Sequence, residues 1–207
     1  MRVAGLDFSI TSPALCVYNS DEDHYTITSW TQEERLAREA VTSGKLTASV
    51  EYIERNKGDD FYFRLPEKIA FTIIYEDAEA VGVENYAFSA NGKITVLAEC
   101  LGVLKYLYRT KAGDSIIPVA IPHGKMCSNE KMMGNVGKYT SIEYLLSNYA
   151  ESDFLDKINL KITDETPLSD WCDSFGVCRF IYFKTLYERG ETEKIPTKIL
   201  KSLKKRG

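Results

Sequence analysis

A chain of 207 residues, 44% apolar and 27% charged, can bury one sizeable core and leave room for an insertion or a tail. It has no apolar run near the ~18 residues of a membrane span, and its opening MRVAGLDFSI lacks the basic and apolar regions of a secretory signal. The expected setting is therefore cytoplasmic, with no membrane partner. The net charge of −4 disfavours a simple polyanion binder, but the charges are segregated: 151–173 holds seven acids and two lysines, and 198–206 five basic residues and no acid.

In chain order, Val3 to Phe8, Ala14 to Tyr18 and Tyr25 to Trp30 are short apolar runs separated by Thr11-Ser12-Pro13 and Asn19-Ser20-Asp21, the pattern of an antiparallel meander. Residues 31–60 are charged and weakly periodic, and are read as an inserted helical segment. Residues 64–80 predict a helix with Pro66 in its first turn and Ile69, Ile73 and Ala80 on one face. Val81 to Glu84 reads as a strand. Residues 93–109 read as a helix with Val96, Leu97, Leu101, Leu104 and Leu107 at helical spacing. Ile116 to Ile121 reads as a buried strand ending at Pro122, and 139–150 as a third helix. The last long helix is expected to start at Thr166 and Pro167 and to bury Leu168, Trp171, Cys172, Phe175, Cys178 and Ile181. This order predicts an α/β fold, a mixed five-stranded sheet flanked by helices of the ribonuclease H-like kind, over 1–190, with a basic tail at 191–207.

Five cysteines, at 16, 100, 127, 172 and 178, form no Cys-x-x-Cys pair, so reduced thiols are expected and a structural zinc site is not. The chemistry is expected from acids. Asp7 and Glu84 each end an otherwise apolar strand, where a carboxylate is costly unless a cation compensates it. Asp170 and Asp173, at i and i+3, share a helix face near a positive helix end. Four carboxylates with oxygen-only donors suit hard cations, Mg²⁺ or Mn²⁺, and two ions about 3.5–4 Å apart would serve in-line phosphoryl displacement.

VAGLDFSITSPALCVY resembles the first strand and hairpin of RuvC-like Holliday junction resolvases. VGVENYAF resembles their I-E-x-x-x-F segment, PHGKMCSNEKMMGNVGKYTSIEYL their P-x-x-V-K-x-x-x-x-G-x-G-x-x-x-K segment, and LSDWCDSFGVCRF their D-x-x-D-A-x-A helix. The resemblance covers most of 1–187 in the right order. It implies that Asp7, Glu84, Asp170 and Asp173 are the catalytic and metal-binding tetrad and that Lys138 contacts the scissile phosphate. Longer 31–60, bulky Trp171 and Cys172 between the paired acids, and a stretched interval from Lys125 to Lys138 mark a divergent branch, of the sort viruses and phages encode.

Competing motifs fall away. GNVGK at 134–138 lacks the glycine and the Ser or Thr of a Walker A loop, since those positions are Met132 and Tyr139. The GLDFSIT opening of sugar kinases and actin-like ATPases needs two such domains, and a proofreading exonuclease would want an acid where Ser9 stands. His123 reads as a packing residue rather than a general base. The expected activity is crossover-junction cleavage by a homodimer acting on branched DNA, with the apolar stripe of the helix at 93–109 read as either an interface or core. Lys125, Lys138, Lys201, Lys204 and Lys205 would contact DNA, and Tyr86 and Phe88 would stack on bases. A less selective branched-DNA or packaging nuclease, and an inactive DNA-binding scaffold, are the alternatives.

Overall fold

The computed structural model describes residues 1–54, 60–85, 94–113, 116–127 and 138–204, without the side chains at 60, 61, 94, 121, 126, 138, 139 and 165. The expected meander is present: β1 (Arg2–Asp7), β2 (Ala14–Asn19) and β3 (His24–Thr31) pair antiparallel, with Asp7 opposite Ala14 and Ala14 opposite Ser29. The segment 31–60 departs from expectation. After a short 3-10 turn it forms β4 (Arg38–Ser43) and β5 (Leu46–Tyr52), an antiparallel hairpin whose second strand adds parallel to β3. Leu46, Ala48 and Val50 point into the core while Thr47, Ser49 and Glu51 stay half-exposed. That period-2 pattern is easily lost among charges, and Gly44, at φ +59°, closes the turn.

Helix α1 (Asp60–Tyr75) leads to β6 (Ala80–Glu84), α2 (Ile94–Ala112), β7 (Ile117–Val119) and α3 (Ile121–Cys127). Next come α4 (Lys138–Tyr149), α5 (Phe154–Lys157), the long α6 (Glu165–Glu188) and α7 (Thr197–Lys204). β6 pairs parallel with β1 and β7 parallel with β6, giving a seven-stranded mixed sheet in the order β4-β5-β3-β2-β1-β6-β7 rather than the five strands expected. Pro66 lies inside α1 rather than in its first turn, and Ala80 belongs to β6. Pro122, expected to stop a strand, sits in the first turn of α3, where its missing N–H has no intrahelical acceptor to lose.

Both faces of the sheet are covered. Ala4, Leu6, Val17, Val81 and Val83 pack on α1 and α2; Val3, Cys16, Ile27 and Leu46 pack on the α6 side. Glu51 of β5 accepts from the Trp30 indole at 3.0 Å and pairs with Lys68 of α1 at 2.8 Å, tying the added hairpin to the first layer. Ile195, Ile199 and Leu203 join the second core, so the described part of the basic tail is packed structure.

Helix α6 begins as the sequence implies: Thr166 is extended (φ −101°, ψ 128°), the helical conformation starts at Pro167, and all six expected stripe residues are buried. It seats on a notch of two glycines. Gly5 and Gly82 are paired across β1 and β6. A Cβ on Gly5 would stand 2.0 Å from the Cys178 amide nitrogen and 2.6 Å from the Ser174 carbonyl oxygen, and one on Gly82 would stand 2.4 Å from Cγ1 of Ile181. The two sites differ in what must yield. At Gly5 it is helix backbone; at Gly82 it is the side chain of Ile181. Gly5→Ala should cost about 3 kcal/mol or more and Gly82→Ala about 1–2 kcal/mol, measured by urea unfolding. Equal stability of Gly5→Ala and the wild type would refute this account of how α6 is seated.

Candidate active site

Asp7 follows Gly5 by two residues and Glu84 follows Gly82 by two, so both acids lie on the α6 face of the sheet, beyond the notch. The Cys178 thiol donates to the Val3 carbonyl at 3.4 Å, so α6 runs antiparallel to β1. From Gly5 to Asp7 the strand advances about 6.6 Å, and from Cys178 back to Asp173 the helix advances about 7.5 Å. The match of these lengths brings Asp173 level with the two strand acids, and Asp170 follows about 4.5 Å, nearly one turn, beyond it. Asp170 and Asp173 are half-buried, in the first two turns after Pro167.

The electrostatics register this convergence. Burial first, and then the charges of Asp173, Asp170 and Glu84, hold the Asp7 carboxyl well above the ordinary carboxylate range. Burial, then Asp173, push Glu84 up to about 7, while the Lys125 ammonium draws it back down. Burial, then the charges of Asp173 and Asp170, raise the Cys172 thiol, so it stays protonated beside the acids. The donors are therefore carboxylate oxygens, which suits a hard divalent cation. Among the described residues no group of three or more His, Cys, Asp or Glu is placed so that it could hold a metal ion as it stands. Acids that carry like charge and share a site favour protonation and separation until a cation offsets them.

Three contacts frame the cluster. Trp171, fully buried between the paired acids, donates its indole N–H to Ser29 Oγ at 2.9 Å. Ser169 Oγ donates to Asp170 Oδ1 at 3.3 Å. Gly124 of α3 lies against Val177 of α6, and a Cβ there would be 3.6 Å from Glu84 Oε1. His123 stacks on Phe180 at 4.9 Å between centroids, the packing role expected of it. Arg179, 5% exposed, donates to the Cys127 carbonyl at 3.1 Å and to Tyr144 Oη at 3.2 Å, and lies over the rings of Tyr144, Phe175 and Phe183. Neither the Trp171–Ser29 bond nor the Arg179 cage was expected from sequence; the only trace of the cage is the spacing of Phe175, Arg179 and Phe183 by four.

The four acids and Lys125 thus share one locus. Lys201 and Lys204 lie elsewhere, exposed on α7, with Lys198 beside them. Lys138 opens α4, but its side chain lies outside the described residues, as do Tyr86, Phe88 and Lys205.

The architecture is a ribonuclease H-like fold. It is similar to the structure of T. thermophilus RuvC in complex with a Holliday junction substrate, with a TM-score of 0.54 at 14% identity over 93% of this chain and 97% of that one. A second Thermus thermophilus RuvC structure gives 0.53 at 15% identity over 93% and 98%. The yeast mitochondrial Holliday junction resolvase Ydc2 gives 0.56 at 13% identity over 86% of this chain and 75% of that one. No protein-family model and no curated protein sequence matches the chain. No helix among the described residues is long and apolar enough to cross a membrane.

The raised carboxyls fix the sign of a pH dependence. Between the unfolded values near 4 and the folded value of about 7 for Glu84, the folded chain holds protons that the unfolded chain releases. Stability of the cation-free protein should therefore fall as pH rises from about 5 to about 7.5. Asp21, Asp23 and Glu191, whose ion pairs lower them, act below that window. In thermal melts with chelator, the midpoint should drop by several degrees across it, and Mn²⁺ should restore more at pH 7.5 than at pH 5.5. A midpoint that climbs with pH in chelator would contradict the clustering.

Proposed function

We propose that this chain is a metal-dependent, structure-selective DNA endonuclease that resolves four-way junctions by paired symmetric nicks. The observation that carries the reading is the convergence of Asp7, Glu84, Asp170 and Asp173, whose charges act on one another. The fold it shares with proteins described as Holliday junction resolvases supports the substrate class.

Asp7, Glu84, Asp170 and Asp173 would hold Mg²⁺ or Mn²⁺, two ions per subunit. When bound, these would supply Lewis acidity and a nucleophile of hydroxide strength at neutral pH. The chain's own part is positional. The strand acids and the helix acids set where a phosphate must lie. Lys125, exposed on α3 with its charge acting on Glu84, would offer that phosphate a cation. Lys138, at the start of α4, would stabilise charge that grows on the equatorial oxygens. Tyr86 and Phe88, which follow Glu84 in sequence, would stack on bases opened at the junction centre.

Two nicks related by symmetry need two sites related by a twofold axis, and a homodimer supplies them. The outer face of α1 and α2 suits that interface. It carries a groove of about 840 Å³ lined by Tyr62, Phe63, Val103, Tyr106 and Leu107, with Phe63 58% and Tyr106 68% exposed.

The deciding assay offers the protein Mg²⁺ with labelled four-way junction, duplex, flap and RNA–DNA hybrid. The junction should be cut symmetrically and in preference to the others, and not in chelator. Asp7→Asn should lose at least about 100-fold in cleavage rate while still binding junction in Ca²⁺. Equal cutting of all substrates would favour a less selective branched-DNA or packaging nuclease. Binding without cutting by the wild type would favour an inactive scaffold.

The docked tail gives a second test. Lys198, Lys201 and Lys204 face outward from α7 while Ile199 and Leu203 face the core, so their charge can be removed without touching the packing. Replacing all three with Gln should weaken junction binding and reduce the log–log salt slope by up to about 2.7. An unchanged slope would make the helix a solvated face only.

A further inference from the structure

Trp171 stands between Asp170 and Asp173 in the chain, its side chain in the core. It is fully buried, and its indole N–H donates at 2.9 Å to Ser29 Oγ. Ser29 is itself 1% exposed and donates onward to the Ser49 carbonyl at 3.3 Å. The indole N–H and the serine hydroxyl therefore each have a partner in a dry environment.

The position of the acceptor matters. Asp7 is opposite Ala14, Ala14 opposite Ser29, and Ser29 opposite Val50, so one cross-strand row runs through all four residues. Residues in such a row share a face of the sheet, and Ser29 is two strands, about 10 Å, from Asp7. The row that carries one acid of the cluster also carries the anchor for the helix that carries two others.

We infer that the Trp171–Ser29–Ser49 chain of hydrogen bonds is a positioning device that sets the spacing of Asp170 and Asp173 from Asp7, and with it the affinity for divalent cations. The Gly5 notch fixes how close α6 lies to the sheet. Rotation of the acid-bearing first turns is a separate freedom: the Cys178 thiol on the Val3 carbonyl restrains the helix further along, and the Trp171 indole acts beside the acids themselves. A hydrogen bond of one length and direction, made in a site without water, removes that freedom. Trp171 turns with the two aspartates that flank it, so holding the indole holds both carboxylates. Shifts of about 1 Å are enough to spoil a metal-ligand geometry. Trp171 and Ser29 are positioning residues; neither touches the reacting atoms.

This inference rests on the metal-binding reading of the four acids. Its test is Mn²⁺ binding followed by the electron paramagnetic resonance of the free ion, well below the melting temperature, alongside the Mg²⁺ dependence of junction cleavage. Ser29→Ala, which deletes one oxygen, and Trp171→Phe should each weaken Mn²⁺ binding by about 10- to 100-fold. The double variant should be little worse than either single one, because both remove the same bond. Ser29→Thr keeps the hydroxyl and should restore binding. A merely structural role would lower the melting temperature and leave Mn²⁺ affinity in the folded protein unmoved. Should Trp171→Phe fail to fold, Ser29→Ala decides. Wild-type Mn²⁺ affinity in folded Ser29→Ala overturns the inference alone; a wild type that binds no Mn²⁺ overturns the metal reading, and this inference with it.

Discussion

Helix α6 touches β1 backbone to backbone at Gly5, closer than any residue with a Cβ would allow. Most of the second layer is referenced to that contact. α3, α4 and α7 all pack on α6, and the core on this side is built around its buried stripe. The notch has two glycines because the helix crosses two strands, and each glycine is followed two residues later by an acid on the same face. The geometry that lets the helix approach therefore also delivers its two aspartates to Asp7 and Glu84. A larger residue at Gly5 would lift the helix, and the acids would separate by the same displacement.

The arrangement is electrostatically unfavourable on its own, unlike the ion pairs elsewhere on the surface. Asp170 and Asp173 gain from the positive end of α6. Asp7 and Glu84 sit at strand ends, where no such field compensates burial, and both are held toward the protonated state at neutral pH. Structural ion pairs lower carboxylate pKa values, as they do for Asp21 and Asp23. Asp7 and Glu84 move the other way, because burial and like charge outweigh any opposite charge near them. The net charge of −4 is less informative than this local polarity, since Lys125 lies at the cluster and Lys198, Lys201 and Lys204 lie together on one helix.

What could be read from the sequence was what depends on local pattern. The meander, the strand-end acids and the i, i+3 pair on a helix with a clear start all follow from periodicity and capping, and the structure places them as read. β4 and β5 were missed because Leu46, Ala48 and Val50 carry most of their signal, diluted by the half-exposed Thr47, Ser49 and Glu51 that alternate with them. Pro66 misled because a proline early in a helix is the commoner case, whereas α1 extends six residues before it. Trp171 was visible as an oddity between the acids. Its acceptor lies 142 residues away, in a strand whose pairing with Asp7 through Ala14 exists only once the sheet has formed. No window of sequence contains that relation.

Arg179 extends the same logic to the cation at the site. A buried guanidinium is costly unless its donors and charge are met. Here the Cys127 carbonyl and Tyr144 hydroxyl accept from it, and three rings present their faces to it. Cys127 is the last residue of α3, so this contact pins the end of a seven-residue helix too short to hold itself in place. His123 against Phe180 pins its beginning. Lys125 lies between those two points, and Gly124 beside it lets the helix press against Val177 and Glu84. The ammonium that draws down the Glu84 carboxyl is thus held by contacts to α6, as are Asp170 and Asp173. One helix, set in height by a glycine, carries two of the acids and holds in place the cation whose charge acts on a third.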